Sequence, residues 1–306
     1  MRIVYMGTPE IAKTCLERLF ADGHEIAGVY TKIDTPKNRG HKLTPSPVKE
    51  YALSRGLSVY QPATFKDETV VEELKSLRPE LIVVVAYGKL LPQAVLDIPK
   101  YGCINIHASL LPHLRGAGPI QWSILRGDRE TGVTAMYLSA GMDEGDMIDK
   151  IPVPIEDTDT GVTLTEKLAS AGAELLSRTV AAIGAGTAGR TPQNPEEATY
   201  APMLRKDMAP MDWSRSPEEL SCHVRGMIPW PVATMTLEDR LLKVYSVRPL
   251  SDPTDKPDGT PVAVTKKGLV MACGGGKTLL IREIQAQGGK RMACADYLRG
   301  HPIKSE

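Results

Sequence analysis

The chain has 306 residues, and its 37 basic and 37 acidic side chains give a formal net charge of zero. A chain of this length forms two domains more often than one, and its composition is that of an ordinary globular protein, which argues against a disordered or fibrous chain. No apolar run approaches the roughly 20 residues of a membrane helix, and the strand-like start leaves no signal peptide, so we expect a cytoplasmic protein. The five scattered cysteines form no CxxC pair, which favours reduced thiols over disulfides or a zinc site.

The first part of the sequence predicts an α/β domain. Strand-like runs at residues 3–6 and 26–30 flank a helix with apolar residues at helical spacing, which is a βαβ opening. The turn after the first strand, G-T-P-E-I-A, lacks the second glycine of the dinucleotide-binding fingerprint, so no such site is expected there. Residues 81–86 are apolar throughout, as in a parallel strand covered by helices on both faces. We therefore expect an open α/β sheet.

The segment 32–49 differs in character, because it combines five cations with several prolines and a glycine. Asp34 is its one acid before residue 50. We expect a long loop without regular structure, which in a compact domain is typical of a functional or a disordered segment. Its cations suit contacts with phosphate groups, and a solvated basic loop is the alternative. The cations are Lys32, Lys37, Arg39, Lys42 and Lys49.

The last third of the chain predicts a second, smaller domain. Residues 190–207 are interpreted as a linker, and residues 208–306 carry slightly more basic than acidic side chains. A helix should begin after Ser216, which stands three residues before Glu219 in the pattern of a capping box. Short strand-like runs between Gly, Asp and Pro turns then indicate a small β-barrel. The run G-G-G-K-T at 274–278 lacks the first glycine of a phosphate-binding loop, so we expect a hairpin turn there.

Two polar side chains interrupt an apolar run near the middle of the sequence. Asn105 and His107 stand at strand spacing, so they project from one face of a strand. Ligands of open α/β sheets bind beyond the carboxyl ends of the strands, which makes this pair a candidate site. The alternative is a hydrogen-bonded core histidine beside a structural asparagine.

Asp143 is the third candidate, in a glycine-flanked acidic loop that we also place at the carboxyl edge of the sheet. If its carboxylate reaches His107, it stabilises the protonated imidazole, which can then move a proton between an attacking amine and a leaving nitrogen. The Asn105 amide can donate to the oxygen of a tetrahedral intermediate. This set contains no nucleophile, which favours direct acyl transfer between two bound substrates. A turn-forming role for Asp143 is the alternative.

The string N-I-H-A-S-L-L-P at residues 105–112, followed by Arg115 and Gly116, resembles the signature of the 10-formyltetrahydrofolate-dependent formyltransferases. Five further strings resemble the branch of this family whose acceptor is methionyl-tRNA, and together they span nearly the whole chain. They are M-G-T-P at 6–9, R-G-H-K-L-T-P-S-P-V-K at 39–49, V-A-Y-G-K-L-L-P at 85–92, G-M-D-E-G-D-M at 141–147 and I-P-W-P at 228–231.

The resemblance implies an architecture and a reaction. The architecture is a Rossmann-like formyltransferase domain at residues 1–189, the linker at 190–207, and a small OB-like β-barrel domain at 208–306 that contacts tRNA. The reaction transfers the formyl group of the co-substrate 10-formyltetrahydrofolate to the α-amino group of methionine on initiator tRNA, for translation initiation. The resemblance further implies a monomer that uses no metal.

The resemblance also implies roles for individual residues. The catalytic set is Asn105, His107 and Asp143. The residues expected to line the folate site are Ser109, Leu110, Leu111 and Pro112. The residues expected to contact tRNA are Arg39, which enters the acceptor stem, and Lys42, at a phosphate. The sequence departs from the family around residues 34–38, where related loops carry more Arg and Gly and this chain has Thr35, Lys37 and Asn38.

Other acceptors and a different class of protein are the alternatives to this interpretation. A formyltransferase acting on glycinamide ribonucleotide usually lacks a second domain, so residues 208–306 argue against it. One acting on an amino sugar nucleotide has a comparable barrel, but it should not need the basic segment 32–49. A folate- or RNA-binding module without catalysis would not need the intact set of Asn105, His107 and Asp143.

Overall fold

A computed structural model describes residues 1–37 and 42–303 of the chain. The chain divides into two compact units. The first unit comprises Met1–Pro119, Glu130–Pro154 and Thr165–Pro202; the second comprises Ile120–Arg129, Ile155–Leu164 and the chain from Met203 onward. The segment interpreted as a linker is thus shared, since its residues up to Pro202 belong to the first unit. The domain limits given above stay a prediction.

Fifteen strands and eight α-helices make up the described part of the chain. The strands are β1 (Arg2–Gly7), β2 (Glu25–Tyr30), β3 (Thr35–Lys37), β4 (Lys42–Thr44), β5 (Val59–Tyr60), β6 (Leu81–Val85), β7 (Cys103–His107), β8 (Glu130–Tyr137), β9 (Met147–Pro154), β10 (Thr234–Leu237), β11 (Arg240–Leu250), β12 (Pro261–Thr265), β13 (Gly268–Cys273), β14 (Lys277–Ala286) and β15 (Met292–Ala293). The helices are α1 (Glu10–Ala21), α2 (Pro47–Ser54), α3 (Glu68–Ser76), α4 (Gln93–Leu96), α5 (Pro119–Leu125), α6 (Gly161–Ala185), α7 (Pro217–Gly226) and α8 (Cys294–Gly300).

Seven strands form a mixed sheet in the first unit, in the order β5-β2-β1-β6-β7-β8-β9. The strands from β5 to β7 run parallel, whereas β8 runs antiparallel to both of its neighbours. Strand β6 is buried at all five positions, as its apolar sequence predicts. Strand β9 lies at the sheet edge, where its prolines remove no ladder hydrogen bond needed by a further strand. The predicted Rossmann-like sheet is confirmed.

The basic segment contains more regular structure than we predicted. Strands β3 and β4 form a two-stranded antiparallel ladder that pairs Thr35 with Thr44, although Pro36 lies within it. A proline is tolerated there because each strand of a two-stranded ladder has one unpaired edge, where no N–H is needed. Lys49 lies in α2, not in a loop. Arg39 lies outside the described residues, as does the side chain of Lys42.

The second unit is built on an antiparallel sheet in the order β10-β11-β14-β13-β12, with β15 beside β14. This open order makes a curled half-barrel, and the predicted fold class is confirmed. Ser216 caps α7 as predicted, because its Oγ accepts from the Glu219 main chain while the Glu219 carboxylate accepts from the Ser216 main chain. The glycine run joins β13 to β14 as a hairpin turn, and a Cβ on Gly274 would lie 2.0 Å from the Ser214 carbonyl oxygen.

Short elements escaped the sequence analysis. Helix α4 has four residues and α8 has seven, too few for a helical period to stand out. Among the helices of the described residues, none combines the length and the hydropathy that a membrane span requires.

All five cysteines are free thiols, and four of them are buried. Burial raises the pKa of Cys15 and Cys103 to about 12, and that of Cys273 and Cys294 to about 11. Cys222 is the half-buried exception. Because the thiolate is the reactive form of cysteine, four of these thiols are protected both sterically and by protonation.

We therefore expect a brief pulse of iodoacetamide on the native protein at neutral pH to label Cys222 first. Mass spectrometry of the peptides measures the extent of labelling at each site, and a Cys222→Ser variant is the matched control. Rapid labelling of Cys15 or Cys103 in the folded protein would contradict their burial.

Candidate active site

Strand β7 ends in a buried imidazole. All five residues of the strand are buried, and the side chain of His107 is 6% exposed. Its Nε2 atom lies 2.9 Å from the carbonyl oxygen of Leu114 in the loop that follows. A carbonyl oxygen accepts but cannot donate, so Nε2 carries the proton of this bond. The hydrogen bond thus fixes the ring and leaves Nδ1 as the atom that can exchange a proton.

A carboxylate faces this free ring nitrogen. Oδ2 of Asp143 lies 3.7 Å from Nδ1 of His107 and accepts a hydrogen bond of 2.8 Å from the main-chain N–H of Gly116. The separation from the imidazole is longer than a hydrogen bond. It is short enough for a charge interaction, and solvent screens that interaction little because the Asp143 side chain is only 16% exposed. The structure therefore brings the predicted His and Asp together.

Asp143 reaches this position by a route that the sequence did not indicate. Strand β8 pairs Tyr137 with Ile104 and Thr134 with His107, so it ends level with the beginning of β7. Three strand residues, roughly 10 Å, separate that level from His107. The loop 138–146 therefore runs back toward the carboxyl end of β7, instead of following a strand that ends there.

Asn105 shares the face of His107 on β7, and its side chain is 9% exposed. Within the described part of the chain the side-chain amide of Asn105 forms no hydrogen bond. An amide in this state can donate to a bound group, as the sequence analysis expects. The alternative of a structural asparagine would require a protein partner, because burying an unpaired amide is unfavourable.

The four residues expected at the folate site form a tightly bonded turn. The Oγ of Ser109 donates to a carbonyl four residues on, and Thr134 bridges the turn by donating to the Ser109 carbonyl and accepting from the Leu111 N–H. Ser109, Leu111 and Pro112 are buried, and Leu110 is half-buried. A ligand would therefore meet the main chain of this turn or the side chain of Leu110. Lining of a folate site by these residues stays a prediction.

A segment interpreted as linker also belongs to this region, and the sequence analysis missed it. The buried Arg115 donates from its main-chain N–H to Thr199 and accepts at its carbonyl from Ala201. Gly116 has a φ of 107°, and a Cβ there would lie 2.9 Å from the Ala201 carbonyl oxygen. Gln193 joins the side chain of Arg115 to the Asp143 loop. These contacts join residues that are 50 or more positions apart, which leaves no periodic signal in the sequence.

Two lysines of the first unit have lowered pKa values, and one of them contacts the turn that contains Leu111. Burial lowers the pKa of Lys150, whose Nζ donates to the carbonyl of Leu111. Burial and the charge of Lys32 lower the pKa of Lys89, whose Nζ lies 2.9 Å from the carbonyl oxygen of Ala63. Both ammonium groups are held by main-chain carbonyls.

In the described part of the chain, no three His, Cys, Asp or Glu side chains are grouped to bind a metal.

Comparisons with solved structures show a shared fold. An N-formyltransferase from Helicobacter canadensis, solved with folinic acid and dTDP-3-aminofucose, has a TM-score of 0.67 at 18% identity, covering 91% of this chain and 98% of its own. HypX from Aquifex aeolicus, solved with tetrahydrofolic acid, has a TM-score of 0.64 at 17% identity. That match covers 100% of this chain and 48% of HypX, so this chain spans about half of HypX.

Sequence comparisons carry the family assignment. The family profile described as "Formyl transferase" matches residues 1–180, and the one described as "Formyl transferase, C-terminal domain" matches residues 203–302. Methionyl-tRNA formyltransferase of Bacillus subtilis is 47% identical over 304 residues, which are 99% of this chain and 96% of that protein. The chain therefore belongs to the formyl transferase family, as its N-I-H-A-S-L-L-P string predicted.

Proposed function

We propose that this protein transfers the formyl group of 10-formyltetrahydrofolate to the α-amino group of methionine on initiator tRNA, for translation initiation, as a cytoplasmic monomer. The observation that carries the proposal is the placement of Asp143 Oδ2 3.7 Å from Nδ1 of His107, with Asn105 on the same strand face. Membership of the family supports formyl transfer. The name of the Bacillus subtilis relative supports methionyl-tRNA as the acceptor, and neighbours solved with tetrahydrofolic acid or folinic acid support the donor.

His107 acts as the proton carrier. The amine nitrogen of the acceptor adds to the formyl carbon, and the proton that it loses passes to Nδ1, since Nε2 stays bonded to the Leu114 carbonyl. The Asp143 carboxylate stabilises the imidazolium that forms. Nδ1 then returns the proton to the leaving nitrogen of the donor as its bond to the formyl carbon breaks. The proton count therefore balances over the transfer.

Asn105 stabilises the negative charge that develops on the formyl oxygen. Its side-chain N–H is unpaired in the described residues and lies on the face of β7 that carries His107. A fixed donor in a site of low solvent exposure stabilises an oxyanion more strongly than water does. Asn105 and His107 then act on the oxygen and the nitrogen of the reacting group, respectively.

Substrate contacts are assigned from the family resemblance. Ser109, Leu110, Leu111 and Pro112 form the turn at the folate site. Arg39 and Lys42 contact the tRNA acceptor stem. Lys49 does not belong to this set, because its Nζ pairs with Asp34 at 2.7 Å and with Gln61 at 2.8 Å.

The test of the acceptor uses purified protein with 10-formyltetrahydrofolate and, in parallel, methionine-charged initiator tRNA and an amino sugar nucleotide. We expect formyl on the charged tRNA alone. Formyl on the sugar alone would keep the chemistry of the site and overturn the acceptor. Transfer to neither would overturn the proposed function.

Removing the imidazole should lower turnover strongly. We expect His107→Ala to reduce kcat by about 10²- to 10⁴-fold, the range typical of a lost general acid–base, while donor binding changes little. Single-turnover transfer and donor binding by calorimetry measure the two effects. His24→Ala, in the turn before β2, is the matched control. Wild-type turnover in His107→Ala would refute the assigned role.

The basic segment should act on the tRNA alone. We expect Arg39→Ala to raise the KM for charged tRNA about tenfold, as loss of one charge-assisted contact does, and to leave the KM for the donor unchanged. Lys75→Ala is a matched loss of one charge, in the last turn of α3. Equal effects of Arg39→Ala on both KM values would remove this segment from tRNA recognition.

A further inference from the structure

Gln193 connects two parts of the site through three hydrogen bonds of its side chain. Its Nε2 donates to the carbonyl oxygens of Asp143 at 2.8 Å and of Gly145 at 2.9 Å. Its Oε1 accepts from Nε of the buried Arg115 at 3.0 Å. Both N–H donors of this buried amide are therefore used on one loop, and its oxygen accepts from one cation. Such a side chain holds a single geometry.

The loop that Gln193 holds needs such support. Asp143 has a φ of 54°, in the left-handed region that a non-glycine residue adopts only when its surroundings hold it there. Its carboxylate is held by the Gly116 N–H. Its main-chain carbonyl and that of Gly145 accept from no other group within residues 1–37 and 42–303. The main chain on both sides of Glu144 is thus fixed by one side chain.

Arg115 provides the fixed point for this contact. Its main chain is paired on both sides, with Thr199 and Ala201, and its own side chain is buried. Its Nη1 also lies 3.6 Å from Oε1 of Glu144, so the cation attracts the same loop directly. Arg115 immediately precedes Gly116, whose N–H binds the Asp143 carboxylate. The dipeptide Arg115-Gly116 therefore holds Asp143 in two ways. Gly116 binds the carboxylate directly, and Arg115 holds the main chain through Gln193.

We propose that Gln193 is a positioning residue that holds the Asp143 loop in register, so that the carboxylate stays beside Nδ1 of His107. This inference rests on the proposed function for its kinetic consequence, but its structural part does not. Gln193 touches neither reacting group and acts through Asp143. A catalytic loop displaced by about 1 Å can lose roughly a hundredfold in rate.

The isosteric variant Gln193→Glu separates the two halves of the contact. It keeps the size of the side chain and the acceptor for Arg115, and it replaces the two N–H donors by an oxygen that faces two carbonyl oxygens. We expect kcat to fall about tenfold to a hundredfold, with both KM values nearly unchanged. The control is Asn194→Ala, an exposed neighbour that binds the Glu196 N–H, and it should keep full activity.

A double-mutant cycle distinguishes positioning from general support of the fold. If Gln193 acts through Asp143, the loss caused by Gln193→Glu disappears in an Asp143→Ala background. Losses that multiply independently in the double variant would overturn the proposal. If Gln193→Glu fails to fold, Gln193→Ala takes its place in the cycle, because it removes the two donors, together with the acceptor for Arg115, without adding a charge.

Hydrogen exchange tests the proposal without any assumption about the reaction. We expect faster exchange of the amides of residues 139–146 in Gln193→Glu than in the wild type, with exchange in β6 unchanged. Equal exchange of the loop in both proteins would overturn the positioning role. A wild-type protein that formylates no charged tRNA would overturn the proposed function alone, since the exchange comparison would still decide what Gln193 does.

Discussion

The placement of an imidazole and a carboxylate at the buried end of β7 is the constraint on which the rest of this region depends. Polar groups at this depth are unfavourable unless they are bonded, so the surrounding chain must supply partners. Most of these partners are main-chain atoms: the Leu114 carbonyl for His107 and the Gly116 N–H for Asp143. The loop after β7 therefore has to fold back over the strand end, and its path follows from the two groups that it must satisfy.

The antiparallel strands β8 and β9 explain why a second loop is needed. In a purely parallel sheet, each strand delivers its own loop to the carboxyl edge, and neighbouring loops meet there. Strand β8 instead ends beside the start of β7, and the loop 138–146 has to return along the sheet. A returning loop has no ladder to hold it, which is why it depends on Gln193 from a distant segment.

The sequence predicts whatever depends on local pattern, and it fails where contacts are distant. The apolar run of β6 and the Ser216 cap follow from spacing and side-chain type alone. The ladder of β3 with β4 was missed because Pro36 outweighed the pairing potential of its neighbours. The 190–202 segment was interpreted as a linker because it is rich in Thr and Pro and has little periodicity, while the contacts of Gln193 reach residues 50 and 78 positions away. The family resemblance placed His107 and Asp143 in one catalytic set, but the direction of β8 could not be inferred from the sequence.

The glycines that flank the acidic loop have a steric origin that is independent of the substrate. A Cβ on Gly145 would lie 1.8 Å from the carbonyl oxygen of Tyr137, so the loop can lie against the end of β8 only with glycine there. Gly116 is similarly required by its positive φ and by the closeness of the Ala201 carbonyl. The N–H of Gly116 binds the Asp143 carboxylate, so this glycine also provides the donor that holds that carboxylate. The glycine two residues after Asp143 therefore records how tightly the backbone packs there, and the position of the carboxylate depends on that packing.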